Sequence, residues 1–149
     1  MPELQSPTRP TSPVQGTVLA FDYGLSRTGA AVGSTLMQSA RPLEIFASDS
    51  NEKKWRAVLR LVAEWGPVAL VVGVPRHPDG AAHEMTARAL RFARQCAGRT
   101  SLPVYVVDER YSSVVVEEGR QKIDDASAAV ILQQWFDEGC PANDAERAL

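Results

Sequence analysis

Apolar and polar positions in the first half of the chain change from a strand pattern to a helix pattern. Residues 17–23, 28–33 and 37–45 are short runs rich in apolar residues and separated by turn residues, which predicts three consecutive strands. Residues 53–65 then follow the period of a helix. One face of this predicted helix carries Trp55, Val58, Leu59, Val62 and Trp65.

The second half alternates strands with helices. Residues 68–72 and 104–107 are continuous apolar runs, which are typical of parallel strands buried on both faces. Helices are predicted at residues 84–97 and 125–136, and the pattern allows a short one at residues 112–119. The face predicted for the last helix carries Ala129, Val130, Leu132, Gln133 and Phe136. Right-handed crossovers would place the two later strands beside the first one. We therefore expect an α/β fold with a mixed five-stranded sheet and helices on both faces.

Two polar segments flank this pattern. Residues 1–15 contain four prolines among Ser and Thr, which predicts a disordered tail. Residues 140–149 are predicted to be a second tail, which leaves one domain at residues 16–139. No secretory signal precedes the first strand, and no apolar run reaches the roughly 20 residues that span a bilayer. We therefore expect a cytoplasmic protein with no membrane segment.

Charge alone does not identify a partner. The net charge is −2, so no overall positive field indicates nucleic acid. Only three of the 16 basic residues are Lys, and the rest are Arg. Arginine suits phosphate recognition because its planar fork matches phosphate oxygens, but a genome rich in G and C would produce the same bias. Both explanations stay open at this point.

Acidic residues lie where the predicted strands end. Asp22 follows the first strand, Asp108 and Glu109 follow the fifth, and Asp124 and Asp125 begin the last helix. Ligands of open α/β sheets collect at the carboxyl ends of the parallel strands. Carboxylates gathered there repel each other unless cations lie between them, and Mg²⁺ or Mn²⁺ prefers such oxygen ligands. Two such ions can activate a water and stabilise the leaving oxygen of a phosphodiester.

Each acidic residue also has a structural explanation. Asp22 could accept backbone N–H groups in the turn before Gly24. Asp125 is assigned as the N-cap of the last helix, because Asp is common at that position. Asp108 could simply solvate the end of its strand.

Five segments of the chain, taken in order, carry a resemblance to a known family. They are "LAFDYGLSRTGAAVG", "ARPLEI", "VVGVPRHPDGAAHEMTARALRFA", "VDERYSS" and "KIDDASAAVILQQWFDEG". Together they resemble the YqgF-type family of Holliday junction resolvases and of nucleases that mature the 5′ end of pre-16S rRNA. The resemblance covers about residues 17–139. It implies an RNase H-like fold, which agrees with the predicted strand order.

The resemblance also implies functional residues. It implies catalytic acids at Asp22, Glu109 and Asp124, which would hold Mg²⁺ or Mn²⁺ as two ions. In "DER" the second residue matches the family's acid, so Glu109 is preferred to Asp108. The same pattern implies nucleic-acid phosphate contacts at Arg27, Arg41, Arg110 and Lys122.

The sequence departs from the family pattern in two places. Val115 stands where the family usually has Glu. Only "VEEGRQ" separates Val115 from Lys122, where the family often has a long, flexible basic loop. The shortened loop weakens the expectation of tight substrate binding, but the three acids remain.

Three functions are compatible with these residues. The first is a metal-dependent endonuclease that acts on structured RNA, most simply precursor rRNA, as a monomer or homodimer. The second is a resolvase of four-way DNA junctions, which needs two active sites and therefore a dimer with two-fold symmetry. The third is a non-catalytic nucleic-acid-binding factor in ribosome assembly.

Overall fold

A computed structural model of the protein describes residues 15–76, 84–110 and 126–142, with Arg110 described by its backbone alone. These residues form the strands β1 (Thr17–Asp22), β2 (Arg27–Ser34), β3 (Ser39–Ala47), β4 (Ala69–Arg76) and β5 (Val104–Arg110). They also form the helices α1 (Asn51–Trp65), α2 (Thr86–Thr100) and α3 (Ser127–Asp137). The short helix predicted at residues 112–119 and nearly all of the predicted tails lie outside the described residues. No helix in the described ranges is long and apolar enough to cross a membrane.

The strands form one mixed sheet in the order β3-β2-β1-β4-β5. The three strands that are consecutive in sequence are antiparallel, and β4 and β5 run parallel to β1. This confirms the predicted fold class and the position of the later strands beside the first one. It also brings the carboxyl ends of β1, β4 and β5 to one edge of the sheet, which we call the carboxyl edge.

Helices cover the two faces of the sheet unequally. Leu19 and Phe21 of β1 pack in a core with α1 and α2, on what we call the α1/α2 face. Val18 and Ala20 point the other way and pack against α3, on the α3 face. Because successive side chains of a strand point to opposite faces, this alternation also gives the face on which the residues at the end of β1 lie.

The predicted helix faces need correction at single positions. Leu59 was predicted on the buried face of α1 but is 42% exposed, and Leu61 is buried in its place. In α3, Val130 is 61% exposed, while Ile131 and Trp135 fill the core. Helices as rich in apolar residues as α3 offer several overlapping stripes, so the pattern alone does not select the buried one.

Two of the predicted helix ends differ in outcome. α1 ends at Trp65, as predicted, and Gly66 follows in the left-handed conformation that glycine adopts at low cost, with its N–H donating to Val62 O at 2.9 Å. The assignment of Asp125 as the N-cap of the last helix is wrong. The helix begins at Ser127 with Ala126 at the N-cap position, one residue after Asp125, which itself lies outside the described residues.

Candidate active site

Asp22 and Glu109 lie on the same face of the sheet at the carboxyl edge. Asp22 ends β1 and is two residues beyond Ala20, whose side chain packs on the α3 face. Glu109 lies near the end of β5 and is two residues beyond Val107, which packs on that face as well. Because side chains two apart in a strand share a face, both carboxylates are directed to the α3 side.

A glycine in the strand between them makes room for the Glu109 carboxylate. Gly73 of β4 pairs with Val107 of β5. A Cβ atom at Gly73 would lie 2.5 Å from Ile131 Cδ1 and 3.1 Å from Glu109 Oε1. The side chains of α3 and β5 therefore occupy the space that a larger residue would need.

The electrostatics of the pair favour a proton or a cation between the two carboxylates. Burial is the main cause that raises the pKa of Glu109 to about 8, and the negative charge of Asp22 acts in the same direction. A proton or a metal ion between two such carboxylates stabilises them, because it offsets their repulsion and the loss of solvation. The chemistry of the donors, hard oxygen atoms, fits a divalent cation such as Mg²⁺ or Mn²⁺.

Asp108 is directed away from this pair. Its side chain accepts a hydrogen bond from Arg76 Nε at 3.0 Å, in an ion pair at the ends of β4 and β5. Its position in β5 places it on the α1/α2 face, since Val106 packs there. Of the two acids in "DER", Glu109 is therefore the one beside Asp22.

Asp124 lies outside the described residues, and α3 is the described element that follows it in the chain. Ile131 packs at Gly73 near the carboxyl edge, whereas Phe136 contacts the position of Gly33 at the other end of the sheet. The N-terminal end of α3 is therefore directed towards the carboxyl edge. In the described part of the chain, no three His, Cys, Asp or Glu residues form a group that could hold a metal ion.

The predicted phosphate contacts fall in different places. Arg27 is exposed and is the first residue of β2. Gly29, two residues further along β2, pairs with Asp22. Arg27 therefore lies at the carboxyl edge, on the α3 face. Arg41 of β3 pairs with Val32 of β2, which in turn pairs with Leu19, three residues before Asp22 in β1. Arg41 is therefore away from the carboxyl edge, and its guanidinium is 5.3 Å from the centroid of the Trp65 ring.

The structure therefore brings Arg27, but not Arg41, to the carboxylates. The backbone of Arg110 ends β5 opposite Arg76, and its side chain is not described. Lys122 lies outside the described residues. A contact of any of these four residues with nucleic acid stays a prediction.

Buried hydroxyl groups hold the turn that follows Asp22. Thr28 is fully buried, and its Oγ1 lies 2.9 Å from Ser48 Oγ. Ser48 Oγ donates to Gly24 O at 2.7 Å, and Gly24 N donates to Thr28 Oγ1 at 3.3 Å. The position of the β1–β2 turn therefore depends on side chains from β2 and from the segment after β3.

Several of these features were not identified from the sequence. The roles of Thr28, Ser48 and Arg76 arise from contacts between distant segments, which no local pattern reports. Gly73 did leave a signal, because a glycine inside an apolar strand indicates a close approach by another group.

Comparison with known proteins identifies the family. The profile of the RuvX family, described as Holliday junction resolvase, matches residues 16–138. A protein of Paraburkholderia xenovorans named "Putative pre-16S rRNA nuclease" is 53% identical over 130 residues, which cover 83% of this chain and 89% of the relative. A protein of the same name from Ralstonia pickettii is 49% identical over 141 residues, which cover 93% and 99%.

Solved structures agree with the fold. The Thermus thermophilus RuvC structure in complex with a Holliday junction substrate matches with a TM-score of 0.54 at 19% identity, over 87% of this chain and 98% of that one. A second T. thermophilus RuvC structure matches with a TM-score of 0.52 at 17% identity, over 86% and 98%. The sheet is therefore of the RuvC-like RNase H type, as predicted. With the match over residues 16–138, the chain belongs to the RuvX family, a family of nucleases that hydrolyse phosphodiester bonds.

Proposed function

We propose that this chain is a metal-dependent endonuclease that processes the 5′ end of pre-16S rRNA. The observation that carries the proposal is the pairing of Asp22 with Glu109 on one face at the carboxyl edge, where the pKa of Glu109 is raised to about 8. The name of the relatives that are 49–53% identical supports the choice of RNA. Such a substrate implies a cytoplasmic reaction.

Asp22, Glu109 and Asp124 are the residues that would hold the metal, as two ions of Mg²⁺ or Mn²⁺. When bound, the metal supplies charge stabilisation for the phosphoryl oxygens and lowers the pKa of the attacking water. The rigid central strand β1 fixes Asp22, because its neighbours β2 and β4 pair with it on both sides. The Glu109 carboxylate packs beside Ile131 in the space that the missing side chain of Gly73 leaves, so it has a defined position before any ligand arrives.

The other residues of this edge would bind and orient the substrate. Arg27 is exposed on the same face as the carboxylates, and its guanidinium would hold a backbone phosphate beside them. Contacts of this kind carry no sequence information, so recognition would depend on the shape of the RNA and on its single-stranded segments.

A second substrate class is favoured by one observation. The family profile that matches residues 16–138 is described as Holliday junction resolvase, which makes four-way DNA the alternative. Resolution of a junction requires two cuts, so this function needs a homodimer with two-fold symmetry. Oligomeric state in solution therefore separates a resolvase from a monomeric ribonuclease.

The test is a cleavage assay with the purified chain on two substrates. One is an RNA that contains the 5′ leader of a 16S precursor, and the other is a four-way DNA junction. Both are incubated with Mg²⁺ or Mn²⁺, beside the variants Asp22→Asn and Asp108→Asn. Asp108→Asn is the matched control. Asp108 is also a carboxylate at the carboxyl edge, but it pairs with Arg76 on the face opposite Glu109.

The proposal expects metal-dependent cleavage of the RNA, loss of that cleavage in Asp22→Asn, and retained cleavage in Asp108→Asn. Cleavage of the junction alone, by a dimer, would replace the proposed substrate with the second one. Binding of either substrate without cleavage would overturn the enzymatic proposal and favour the non-catalytic binding factor.

A further inference from the structure

A polar cavity lies at the carboxyl edge, on the face opposite the two carboxylates. Its volume is about 180 Å³, and it lies between the N-terminal halves of α1 and α2. Its lining consists of Tyr23, Asn51, Lys54, Arg88, Arg91, Phe92 and Gln95. This volume is below the roughly 300–1,000 Å³ of sites that enclose a whole small molecule, so the cavity suits a single charged group.

Among the described residues that line the cavity are three cationic side chains and no carboxylate. Lys54 is buried, with 8% of its surface exposed, whereas Arg88 and Arg91 are exposed. None of these three side chains makes a hydrogen bond or an ion pair with another described residue. By contrast, the neighbouring exposed arginines of α1, Arg56 and Arg60, are both paired with glutamates.

Aromatic rings hold Lys54 in place. Its Nζ is 5.4 Å from the ring centroid of Tyr23 and 5.4 Å from that of Trp55. Tyr23 in turn stacks on Phe92, with the ring centroids 4.6 Å apart. The ammonium group is therefore fixed at the cavity by packing rather than by an acidic partner.

The basic residues are placed where they do not stabilise the helices. Lys54 is in the first turns of α1, and Arg88 is in the first turn of α2, which contains no acidic residue. Cations at a helix N-terminus are unfavourable because that end already carries partial positive charge. The positive charges of the basic side chains and of the two helix ends therefore repel one another. Burial lowers the pKa of Lys54, and the charges of Arg91 and Arg99 lower it further. Within the described residues no acidic side chain pairs with these cations, and local rules of this kind are broken mainly at functional or strained sites.

We propose that this cavity binds a backbone phosphate of the nucleic-acid strand that lies across the carboxyl edge. The donors fit an oxyanion: an ammonium, two guanidinium groups, and the side-chain amides of Asn51 and Gln95. The identity of the ligand as nucleic acid rests on the proposed function. The positive charge of the cavity is a property of its lining and does not depend on that function.

The chain links this phosphate site to the carboxylates directly. Tyr23 follows Asp22, and its side chain packs on the α1/α2 face while Asp22 is directed to the α3 face. A strand that crosses the edge would therefore place one phosphate at the carboxylates and another in the cavity. The family often has a long basic loop before Lys122, which this sequence lacks. The second phosphate site would provide part of the substrate binding expected from that loop.

The test is RNA binding by the full chain without divalent metal, so that no strand is cut. The probe is a labelled RNA that spans the 5′ end of a 16S precursor, and its affinity is measured over a range of salt concentrations. The double variant Arg88→Gln/Arg91→Gln should bind about tenfold or more weakly. The slope of log affinity against log salt should fall by about 0.7 for each phosphate that the variant no longer neutralises. Arg56→Gln/Arg60→Gln changes the net charge equally, outside the cavity, and should leave affinity and slope near those of the wild type.

Lys54→Met provides a second, independent reading. It removes a buried cation and should retain the folded structure, while it weakens RNA binding and abolishes the rise in melting temperature that inorganic phosphate gives the wild type. Equal binding by wild type, Lys54→Met and Arg88→Gln/Arg91→Gln would overturn the phosphate site. If the wild type binds the RNA but does not cut it with Mg²⁺, the proposed function fails while the binding test still decides the cavity.

Discussion

Asp108 and Glu109 are adjacent in the chain, but their side chains lie on opposite faces of the sheet. Asp108 pairs with Arg76 at 3.0 Å on the α1/α2 face, whereas Glu109 lies on the α3 face, where the charge of Asp22 helps to raise its pKa. A single step along β5 therefore separates an ion pair at the end of the strand from a carboxylate in the candidate site. This difference makes Asp108 the natural control for every test of Glu109.

The stability of the metal-free protein should depend on pH through Glu109. Its pKa is about 8 in the folded state against 4.5 as the ordinary value, so the folded state binds the proton more tightly. The stabilisation is complete below about pH 4.5 and is lost as the pH rises towards 8. Glu109→Gln, which stays neutral, should therefore raise the free energy of unfolding by on the order of 2 kcal/mol at pH 8 and by little at pH 4.5.

The measurement is denaturant unfolding of both proteins at the two pH values, with a chelator present. Asp108→Asn should show no comparable change between them. A difference between Glu109→Gln and wild type that is the same at pH 4.5 and pH 8 would contradict the raised pKa.

Gly73→Ala should damage both the fold and the candidate site. The new methyl group would lie 2.5 Å from the fully buried Ile131 and 3.1 Å from Glu109 Oε1, so one of these side chains must move. Overpacking of this kind costs about 1–3 kcal/mol of stability. Metal-dependent cleavage should fall as well, since Glu109 loses its position.

The matched control is Gly98→Ala in α2, where a Cβ meets nothing within 4 Å. Because alanine favours a helix over glycine, this variant should gain about 0.5–1 kcal/mol and keep its activity. Thermal unfolding and cleavage rates check both variants, and an unaltered cleavage rate in Gly73→Ala would show that Glu109 needs no such space.

Removal of one hydroxyl should loosen the turn after Asp22. Thr28→Val keeps the shape of the side chain but leaves the buried Gly24 N without its acceptor, at a cost of about 1–3 kcal/mol. It also removes the hydroxyl beside Ser48 Oγ, which keeps its other hydrogen bond, to Gly24 O. We expect cleavage to fall together with stability. Thr35→Val removes a hydroxyl that accepts from Gly16 N at 2.9 Å, at the other end of the sheet, and should cost stability without lowering the cleavage rate. Equal cleavage by both variants, measured well below their melting temperatures, would exclude a role for the turn.

The two described arginines predicted as phosphate contacts should differ in their effect. Arg27→Gln should weaken RNA binding severalfold and lower the salt slope by about 0.7, since Arg27 is exposed at the carboxyl edge. Arg41→Gln should leave the slope unchanged, because Arg41 lies against Trp65, far from that edge. Equal effects in the two variants would mean that the RNA extends along β3.

The sequence predicted the strands well, because their apolar runs are short and bounded by turn residues. It also predicted the sheet order, since right-handed crossovers leave few arrangements for β4 and β5 beside β1. It did not select the buried stripe of α3, where Val130 is exposed and Ile131 buried, because several apolar residues of that helix could have filled the core.

The candidate site was predicted in part. Asp22 and Glu109 were identified from their places at strand ends and from the resemblance, and the face they share follows from strand alternation. Lys54 was not identified, because a lysine in a helix gives no sign in the sequence that aromatic rings will bury it. Asp124 lies outside the described residues, so its role as the third acid stays a prediction.

A comparison of cleavage rates decides whether Asp22 and Glu109 serve the reaction. Asp22→Asn and Asp108→Asn are assayed side by side on the precursor RNA with Mg²⁺. The substitutions remove the same charge at the same edge, but only Asp22 shares its face with Glu109. We predict a loss of about a thousandfold or more in Asp22→Asn and near wild-type cleavage in Asp108→Asn. Equal cleavage by the two variants would contradict the assignment of Asp22 and Glu109 as the carboxylates that serve the reaction.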